Sequence, residues 1–392
     1  MRAMFTGPQP KILMLGVGEQ GGCILDMLLK DGFHDIHIVD KNTARVTALT
    51  QQYGNAVRAC TDAPDCLSGD HTDRFVKSYD AVIDSLPARF SWPYMQAAAR
   101  TGTNMVSVSF LEEDFMSLDG TAAKNGSLII PDAGAAPGLV GLMAAHGSAL
   151  LDGADVIIEK LGALSARPTP PYFHANMWCT TDLMEEYIRQ ALVRVDGELK
   201  RVDPLQTIER EIIRGMGEEM ESFITDGVRS QAQNLPAVKT FIERTLRIKG
   251  HLAFMKNLFH AGALSYNDIT LPDGSTIKAY ELLAKILDKQ FGNLPAEDRF
   301  VMDITASKGS AASQRRVNIF YLMAYDHKNK IGALTKAVAL TAYISLRLML
   351  DGTITEKGVY PLERLGHRPH IYQAYINAHR EAGARIDEES AV

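Results

Sequence analysis

A cluster of glycines near the N-terminus has the spacing of a phosphate-binding turn. It follows a short apolar run and leads into apolar residues spaced for a helix, and its members are Gly16, Val17, Gly18, Glu19, Gln20 and Gly21. Glycines in these places allow a tight turn, a close approach of the main chain to a pyrophosphate and close helix–strand packing. The pattern predicts a bound dinucleotide, held by main-chain amides and by the positive end of the helix.

An acidic residue follows at the distance at which such sites recognise a ribose. The next apolar run ends at Asp40, about 20 residues beyond the glycine turn. A carboxylate there accepts hydrogen bonds from the adenosine ribose hydroxyls and repels a 2′-phosphate, which favours NAD. Lys41 and Arg45 could neutralise part of such a phosphate, so NADP stays open as the alternative.

A parallel sheet would position these residues, because the first 130 residues alternate between strand-like and helix-like runs. The expected fold class is α/β, with an N-terminal Rossmann doubly wound parallel sheet of six strands and a second, mixed α/β domain. Ser85 and Leu86 end one predicted strand, where they either contact the cofactor or form a solvated strand end. The predicted elements are strands at 11–15, 36–39, 80–85, 104–108 and 128–130 and helices at 91–100 and 115–124.

A turn-rich segment begins where the predicted strand at 128–130 ends. Asp132 opens it, and small residues up to Gly138 leave room for a ligand. Asp132 would lie at the carboxyl end of the sheet near a nicotinamide, where burial could raise its pKa enough for a catalytic base. The alternative is that Asp132 only caps the turn.

Segments spread over most of the chain resemble the saccharopine dehydrogenase family, including its lysine 6-dehydrogenase branch. The resemblance implies an NAD(P)-dependent oxidoreductase that acts on the CH–NH group of an amino acid or its imine adduct, in lysine or other amino-acid metabolism. It implies a dinucleotide-binding domain of residues 1–131 with 340–392. Residues 132–339 would bind substrate and form a homodimer. The similar segments are residues 16–21, DAGAAPGL (132–139), 180–205, 221–230, 244–251 and 358–366.

The middle domain contains polar residues that could hold an amino acid. Arg247 and His251 are four residues apart and would share one face of a helical turn. Arg247 could bind a carboxylate, and His251 could donate a proton, in competition with Asp132 for the catalytic role. A salt bridge and a structural histidine are the alternatives. Thr225 and Asp226 precede a glycine, where substrate binding competes with turn capping.

One segment departs from the family pattern. Relatives commonly carry paired glycines after the strand that opens the substrate domain, whereas residues 161–165 here contain one glycine. A non-catalytic NAD-binding sensor or scaffold therefore stays an alternative to the enzyme. A sugar- or inositol-type oxidoreductase is a weaker alternative, since its usual Glu-Lys-Pro segment is absent from the first domain.

The composition excludes several classes of protein. The 392 residues carry a net charge of −6, which provides no basic surface for nucleic acid. No apolar run approaches the roughly 20 residues of a membrane helix. The four cysteines are sparse; Cys60 and Cys66 form the only close pair and complete no zinc-type set, so we expect no metal and reduced thiols in the cytoplasm. The expected partners are an amino-acid or amine substrate and a second subunit, and neither nucleic acid nor membrane.

Overall fold

The structure is a computed structural model that describes residues 5, 7–60, 69–175, 178–294, 297–310 and 313–391. Cys66 lies outside these residues. The chain divides into two compact units, the first made of residues 1–145 and 335–382 and the second of 146–334 and 383–392.

The elements are numbered in chain order through both units. The strands are β1 Ile12–Leu15, β2 Ile36–Val39, β3 Val57–Ala59, β4 Ala81–Asp84, β5 Asn104–Ser107, β6 Leu128–Ile130, β7 Val156–Ser165, β8 Ala191–Val195, β9 Glu198–Val202, β10 Glu209–Ile212, β11 Glu219–Ile224, β12 Thr240–Ile248, β13 Asp268–Thr270, β14 Thr276–Lys278, β15 Asp298–Lys308, β16 Arg315–Ala324, β17 Gly358–Val359 and β18 Arg385–Ala391. The helices are α1 Glu19–Lys30, α2 Thr43–Tyr53, α3 Gly69–Lys77, α4 Ala88–Thr101, α5 Asp119–Asn125, α6 Val140–Leu150, α7 Thr180–Glu186, α8 Gln231–Asn234, α9 His251–His260, α10 Ala279–Phe291, α11 Ala333–Leu350 and α12 Pro369–Glu381.

The first unit is a parallel sheet of seven strands in the order β17-β6-β5-β4-β1-β2-β3. Its central strands are buried along their whole length, as strands covered by helices on both faces must be. The order reverses at β1, and ligands bind beside the carboxyl ends of the strands at such a switch point. The doubly wound parallel sheet predicted from the sequence is confirmed.

The second unit is built on a mixed sheet of nine strands. Its central part runs β10-β11-β12-β7-β15-β16-β18; β12 and β7 are parallel, and the other pairs along this path are antiparallel. Strand β8 joins β12, and β9 joins β8. A helical cluster built on α7, α9 and α10 packs around Tyr187 and Phe223.

Residues 340–382 of the C-terminal segment belong to the first unit, but the final strand β18 does not. Residues 340–392 were expected to complete the dinucleotide domain, but β18 pairs with β16 along seven register positions of the second sheet. The charged run from Arg385 to Ser390 alternates too weakly to read as a strand, and as an edge strand it needs only one partner.

One described helix is long and apolar enough to cross a membrane by length and composition. This helix, α11, has a mean hydropathy of 1.4, and 72% of it is buried inside the molecule. An all-round apolar helix is what a buried position in a large core requires, so packing accounts for its composition.

Candidate functional site

The glycine turn after β1 has the geometry that its sequence predicts. Gly16 has a φ of +83°, and a Cβ on it would lie 2.9 Å from the Ser85 carbonyl oxygen. A Cβ on Gly21 would lie 2.3 Å from the Gly16 carbonyl oxygen. Side chains at either position would force the turn away from the sheet, so both glycines are required by close packing.

Gly18 has a different role from these two packing glycines. It lies at the N-cap of α1, and a Cβ built on it would meet no atom within 4 Å. Gly18 and Glu19 are exposed, and Gln20 is half-buried. The open space in front of the first turn of α1 fits a phosphate group, which would meet free main-chain amides there.

Asp40 is bonded to the glycine turn itself. One carboxylate oxygen accepts a hydrogen bond of 2.8 Å from the Val17 amide, and the other accepts one of 2.8 Å from the Asn42 amide. Lys41 beside it is exposed, and Arg45 donates to the Gly18 carbonyl over 3.0 Å. The carboxylate therefore shapes the turn, and its remaining lone pairs are available to a ribose.

The end of β4 braces the same turn. The Ser85 hydroxyl donates to the Gly16 carbonyl over 2.9 Å, and Leu86 is half-buried next to it. Gly16, Val17, Gly21, Asp40 and Ser85, all predicted from the sequence, thus contact one another in the structure.

Asp84, the last residue of β4 and the neighbour of Ser85, is completely buried. Its carboxylate accepts hydrogen bonds from three serine hydroxyls and from the Leu86 amide, and burial raises its pKa. The three serines come from two other segments of the chain, and they are Ser91, Ser107 and Ser109. The sequence alone did not reveal this cluster because its members are far apart in the chain.

Asp132 lies in the first unit, directly beyond β6, and is 4% exposed. Its φ is +50°, in the left-handed region that is uncommon outside glycine, asparagine and aspartate. Its carbonyl accepts from the Gly134 amide, and a Cβ on Gly138 would lie 2.3 Å from that carbonyl. The backbone of this residue is tightly held, and its role as a catalytic base stays a prediction.

Arg247 and His251 do not share a helical turn, which corrects the sequence interpretation. Arg247 lies on β12 and His251 is the first residue of α9. Residues 240–248 form a strand that is buried along most of its length, and Gly250, with a φ of +100°, separates strand from helix. The two side chains nevertheless meet through a third residue, Tyr187.

The hydrogen bonds through Tyr187 have a fixed direction. The Arg247 Nε donates to the Tyr187 hydroxyl over 2.9 Å, and that hydroxyl lies 2.7 Å from Nε2 of His251. Nδ1 of His251 lies 2.5 Å from the Tyr172 carbonyl, which only accepts, so Nδ1 carries the proton. Nε2 therefore accepts from Tyr187, and both ring nitrogens have internal partners.

His251 is consequently held in its neutral form. Burial, helped by the Arg247 charge, lowers the pKa of His251 to about 3, and burial raises the pKa of Tyr187 to about 12. His251 could serve as a proton donor only if one of these internal bonds broke. The second alternative open from the sequence, a structural histidine, agrees with this geometry.

Arg247 carries the salt bridge that was its alternative role. Its guanidinium pairs with Glu186, the residue that precedes Tyr187 in the chain. The Arg247 side chain is 4% exposed. Burial alone would lower the pKa of Arg247, but the charges of Glu186 and Tyr187 raise it overall. Substrate carboxylate binding would require this arginine to share its donors with Glu186.

Thr225 and Asp226 have different surroundings. The Thr225 hydroxyl contacts Glu243 at 2.9 Å and Thr245 at 2.8 Å in the interior. The Asp226 carboxylate accepts a hydrogen bond of 2.9 Å from the Leu192 amide and so fixes the start of β8. Turn stabilisation thus accounts for Asp226, whereas Thr225 joins a buried polar chain.

Sequence reasoning singled out neither Glu243 nor Tyr187, and it did not count Glu186 among the site residues. A signal existed in β12, where Glu243, Thr245 and Arg247 alternate and therefore lie on one face of the strand. A polar stripe inside a strand of a central sheet is unusual enough to mark a buried network. The pairing with α7 required the tertiary structure.

Comparison with known families covers both units of the chain. Residues 12–130 match the model of the saccharopine dehydrogenase NADP binding domain, and residues 134–384 match the saccharopine dehydrogenase C-terminal domain. The chain belongs to the saccharopine dehydrogenase family. The first unit accordingly contains the family's dinucleotide-binding domain, with the glycine turn at the start of the matched segment.

Two relatives are similar to this family member over much of its length. A saccharopine dehydrogenase [NADP(+), L-glutamate-forming] from Schizosaccharomyces pombe is 21% identical over 290 residues, which are 71% of this chain and 64% of the relative. The chain thus matches less than two thirds of that enzyme. An apo saccharopine dehydrogenase (L-Glu forming) from Saccharomyces cerevisiae superposes with a TM-score of 0.76 at 16% identity, covering 97% of this chain and 99% of the other, which shows a shared fold.

Proposed function

We propose that the protein is an NAD(P)-dependent oxidoreductase that acts on the CH–NH group of an amino acid or of its imine adduct. The observation that carries the proposal is the geometry of the glycine turn. Gly16 and Gly21 have no room for a side chain, whereas the space in front of Gly18 is open. A turn that served packing alone would not require an uncovered glycine at the N-terminus of α1. Family membership across both units supports the reaction class.

The identity of the dinucleotide is part of the proposal. The family model and the fission yeast relative are named for NADP, whereas the Asp40 carboxylate favours NAD. Lys41 and Arg45 supply two cations beside Asp40 for a 2′-phosphate. We infer NADP as the working cofactor, with NAD as the alternative to be measured beside it.

The protein's own groups would bind and orient the amine. When bound, the nicotinamide accepts or donates the hydride at the carbon that bears nitrogen. Arg247 supplies a buried cation for a substrate carboxylate, although Glu186 competes for it. Asp132 is the candidate to take the amine proton, since a carboxylate positioned in the interior acts as a general base.

The test is steady-state absorbance of the reduced nicotinamide with a panel of saccharopine, lysine and other amines and amino acids. We expect turnover with at least one secondary amine or its imine, and we expect Asp132→Asn to lower kcat roughly a hundredfold. Asp114→Asn, in an acid that caps a short turn, is the control and should keep full turnover.

A second candidate function is a non-catalytic dinucleotide sensor. It is favoured by the internal partners of His251 and by the ion pair that already occupies Arg247. Tight dinucleotide binding without turnover of any substrate in the panel would support the sensor and contradict the enzyme.

The assembly and cellular setting are proposals as well. We propose a cytoplasmic homodimer in amino-acid metabolism, lysine metabolism being the branch that the family resemblance indicates. Light scattering of the purified chain should give twice the mass of 43.0 kDa, and a monomer would contradict the dimer.

A further inference from the structure

Four side chains form a continuous row of hydrogen bonds through the second unit. Thr225 Oγ1 lies 2.9 Å from Glu243 Oε1 and 2.8 Å from Thr245 Oγ1. Thr245 Oγ1 in turn lies 2.8 Å from Glu186 Oε1. All three separations are ordinary hydrogen-bond lengths between oxygens. The row thus connects two carboxyl groups through two hydroxyls.

The three hydrogen bonds of this row need one proton more than its two hydroxyl groups supply. Each of the three hydrogen bonds needs a proton between its oxygens, and each threonine hydroxyl provides one. The third proton must therefore lie on a carboxyl group. The other oxygen of Glu186 accepts from the Arg247 guanidinium, so Glu186 is the carboxylate partner of this ion pair. The third proton consequently belongs to Glu243.

The surroundings of Glu243 favour this protonated form. The residue is 4% exposed, and Glu159 of β7 lies opposite it in the parallel register. Burial is the main reason why the pKa of Glu243 rises to about 8; the hydrogen bond with Thr225 and the charge of Arg229 oppose the rise, and the charges of Glu186 and Asp226 add to it. A Cβ on Gly227 would lie 1.8 Å from the carboxyl group, so this glycine leaves it the space it occupies.

We propose that Glu243, Thr225, Thr245 and Glu186 form a proton relay in which Glu243 stores a proton and exchanges it with Glu186 beside Arg247. To deliver a proton, Glu243 loses its hydrogen to Thr225 while Thr225 passes its own to Thr245 and Thr245 passes its own to Glu186. One O–H bond breaks and one forms at every hydroxyl, so the net change is one proton moved between the carboxyl groups.

The relay deepens the proposed function and rests on it. Reduction of an imine needs a proton on nitrogen, and oxidation of an ammonium group releases one. A relay loaded with its proton can donate from Glu186, and one that has lost it can accept there. Glu243 acts through Glu186 and touches no substrate in this scheme.

Infrared spectroscopy of the full chain without substrate tests the relay directly. We expect a carbonyl band of a protonated carboxyl group at neutral pH that disappears with a midpoint near pH 8. Glu243→Gln should abolish the band. Glu221→Gln is the matched control, because Glu221 is a buried glutamate on β11 that accepts hydrogen bonds from main-chain amides at the start of α9. The carbonyl band of this variant should equal that of the wild type.

A pair of threonine variants keeps the test valid if Glu243→Gln fails to fold. Thr225→Val removes the hydroxyl that accepts from the acid, so the carbonyl band should move to higher frequency. Thr225→Ser keeps the hydroxyl and should leave the band in place. A wild-type spectrum without a protonated carboxyl band, or one unchanged by Thr225→Val, would overturn the relay.

The pH profile of turnover separates this proposal from the proposed function. With an active substrate, we expect Thr225→Val to remove the inflection of kcat near pH 8 and Thr225→Ser to keep it. Turnover without the infrared band would contradict the relay alone. The band without any turnover would contradict the enzyme and leave the stored proton established.

Discussion

Several single residues stabilise the local fold at positions where the sequence predicts contact with a ligand. Asp40 accepts two main-chain amides with the carboxylate that the sequence assigned to a ribose. Tyr187 orders Arg247 and His251 by accepting from one and donating to the other. Substitutions at such residues must preserve shape while they change charge if they are to report on function.

The charge of Asp40 can be tested with the isosteric change Asp40→Asn. The amide keeps an acceptor for Val17 but removes the charge that repels a 2′-phosphate. We expect the ratio of the NADH to the NADPH dissociation constants to rise roughly tenfold, about 1.4 kcal/mol. Fluorescence titration with both reduced dinucleotides measures it, and Asp35→Asn, in an exposed ion pair on the same unit, is the control. An unchanged ratio would show that Asp40 does not select the cofactor.

At the scale of elements, strand ends and the first turns of helices create the predicted cofactor site. Helix α1 approaches β1 closely because Gly21 brings its backbone to the Gly16 carbonyl. Strand β4 adds Ser85 to the same contact. The distance between a helix and its sheet is therefore set by a missing side chain.

The substitution Gly21→Ala tests this packing. The added methyl group would lie 2.3 Å from a backbone oxygen, which cannot swing aside as a flexible side chain can. We expect a loss of about 1–3 kcal/mol in unfolding free energy and at least a tenfold weaker dinucleotide. Denaturant unfolding and binding titration measure the two effects. Gly120→Ala, at a helical position with open space around it, should cost neither, and equal effects in both variants would refute the packing argument.

Among the strands and helices, some could be predicted from the sequence and others could not. Apolar runs ending in turns predicted β1, β2 and β4, since a buried parallel strand needs nothing else to be recognised. Strand β3 has only three residues, two of them exposed, and carried no such signal. The helical turn predicted for Arg247 was wrong because β12 ends at Ile248 and Gly250 separates this strand from the helix that begins at His251.

Across the whole molecule, the sequence predicted the first sheet better than the network of buried polar side chains in the second unit. The positions of Glu243, Thr225 and Glu186 come from three different segments. Their contacts depend on the register of β11, β12 and β7. No local pattern encodes such a register, whereas glycine spacing encodes its turn directly.

Buried titratable groups predict how stability depends on pH. The pKa values of His251 and His379 are lowered by burial from 6.5 to about 3, so their contribution is present above pH 6.5 and is lost as the pH falls towards 3. The pKa of Glu243 is raised from 4.5 to about 8, so its contribution is present below pH 4.5 and is lost as the pH rises to 8. Of these three groups, Glu243 is the one whose contribution still changes above pH 6.5, so it should make stability fall between pH 6.5 and 8.

The slope for each group is limited to about 1.4 kcal/mol per pH unit. Urea unfolding over this range measures the curve. Glu243→Gln should flatten the fall above pH 6.5 and steepen the rise between pH 4.5 and 6.5, where the glutamate no longer opposes the histidines. A stability that keeps rising from pH 6.5 to 8 in the wild type would contradict the assignment of a stored proton to Glu243.

The proposed activity of the protein depends on a dinucleotide held by the main-chain nitrogens of the β1–α1 turn. Calorimetric titration of the purified chain with NADPH and NADH measures this binding without any assumption about the substrate. We expect saturable binding of at least one of them with one site per chain, weakened by Gly21→Ala. Absence of binding heat with either reduced or oxidised dinucleotide at several temperatures would contradict the account.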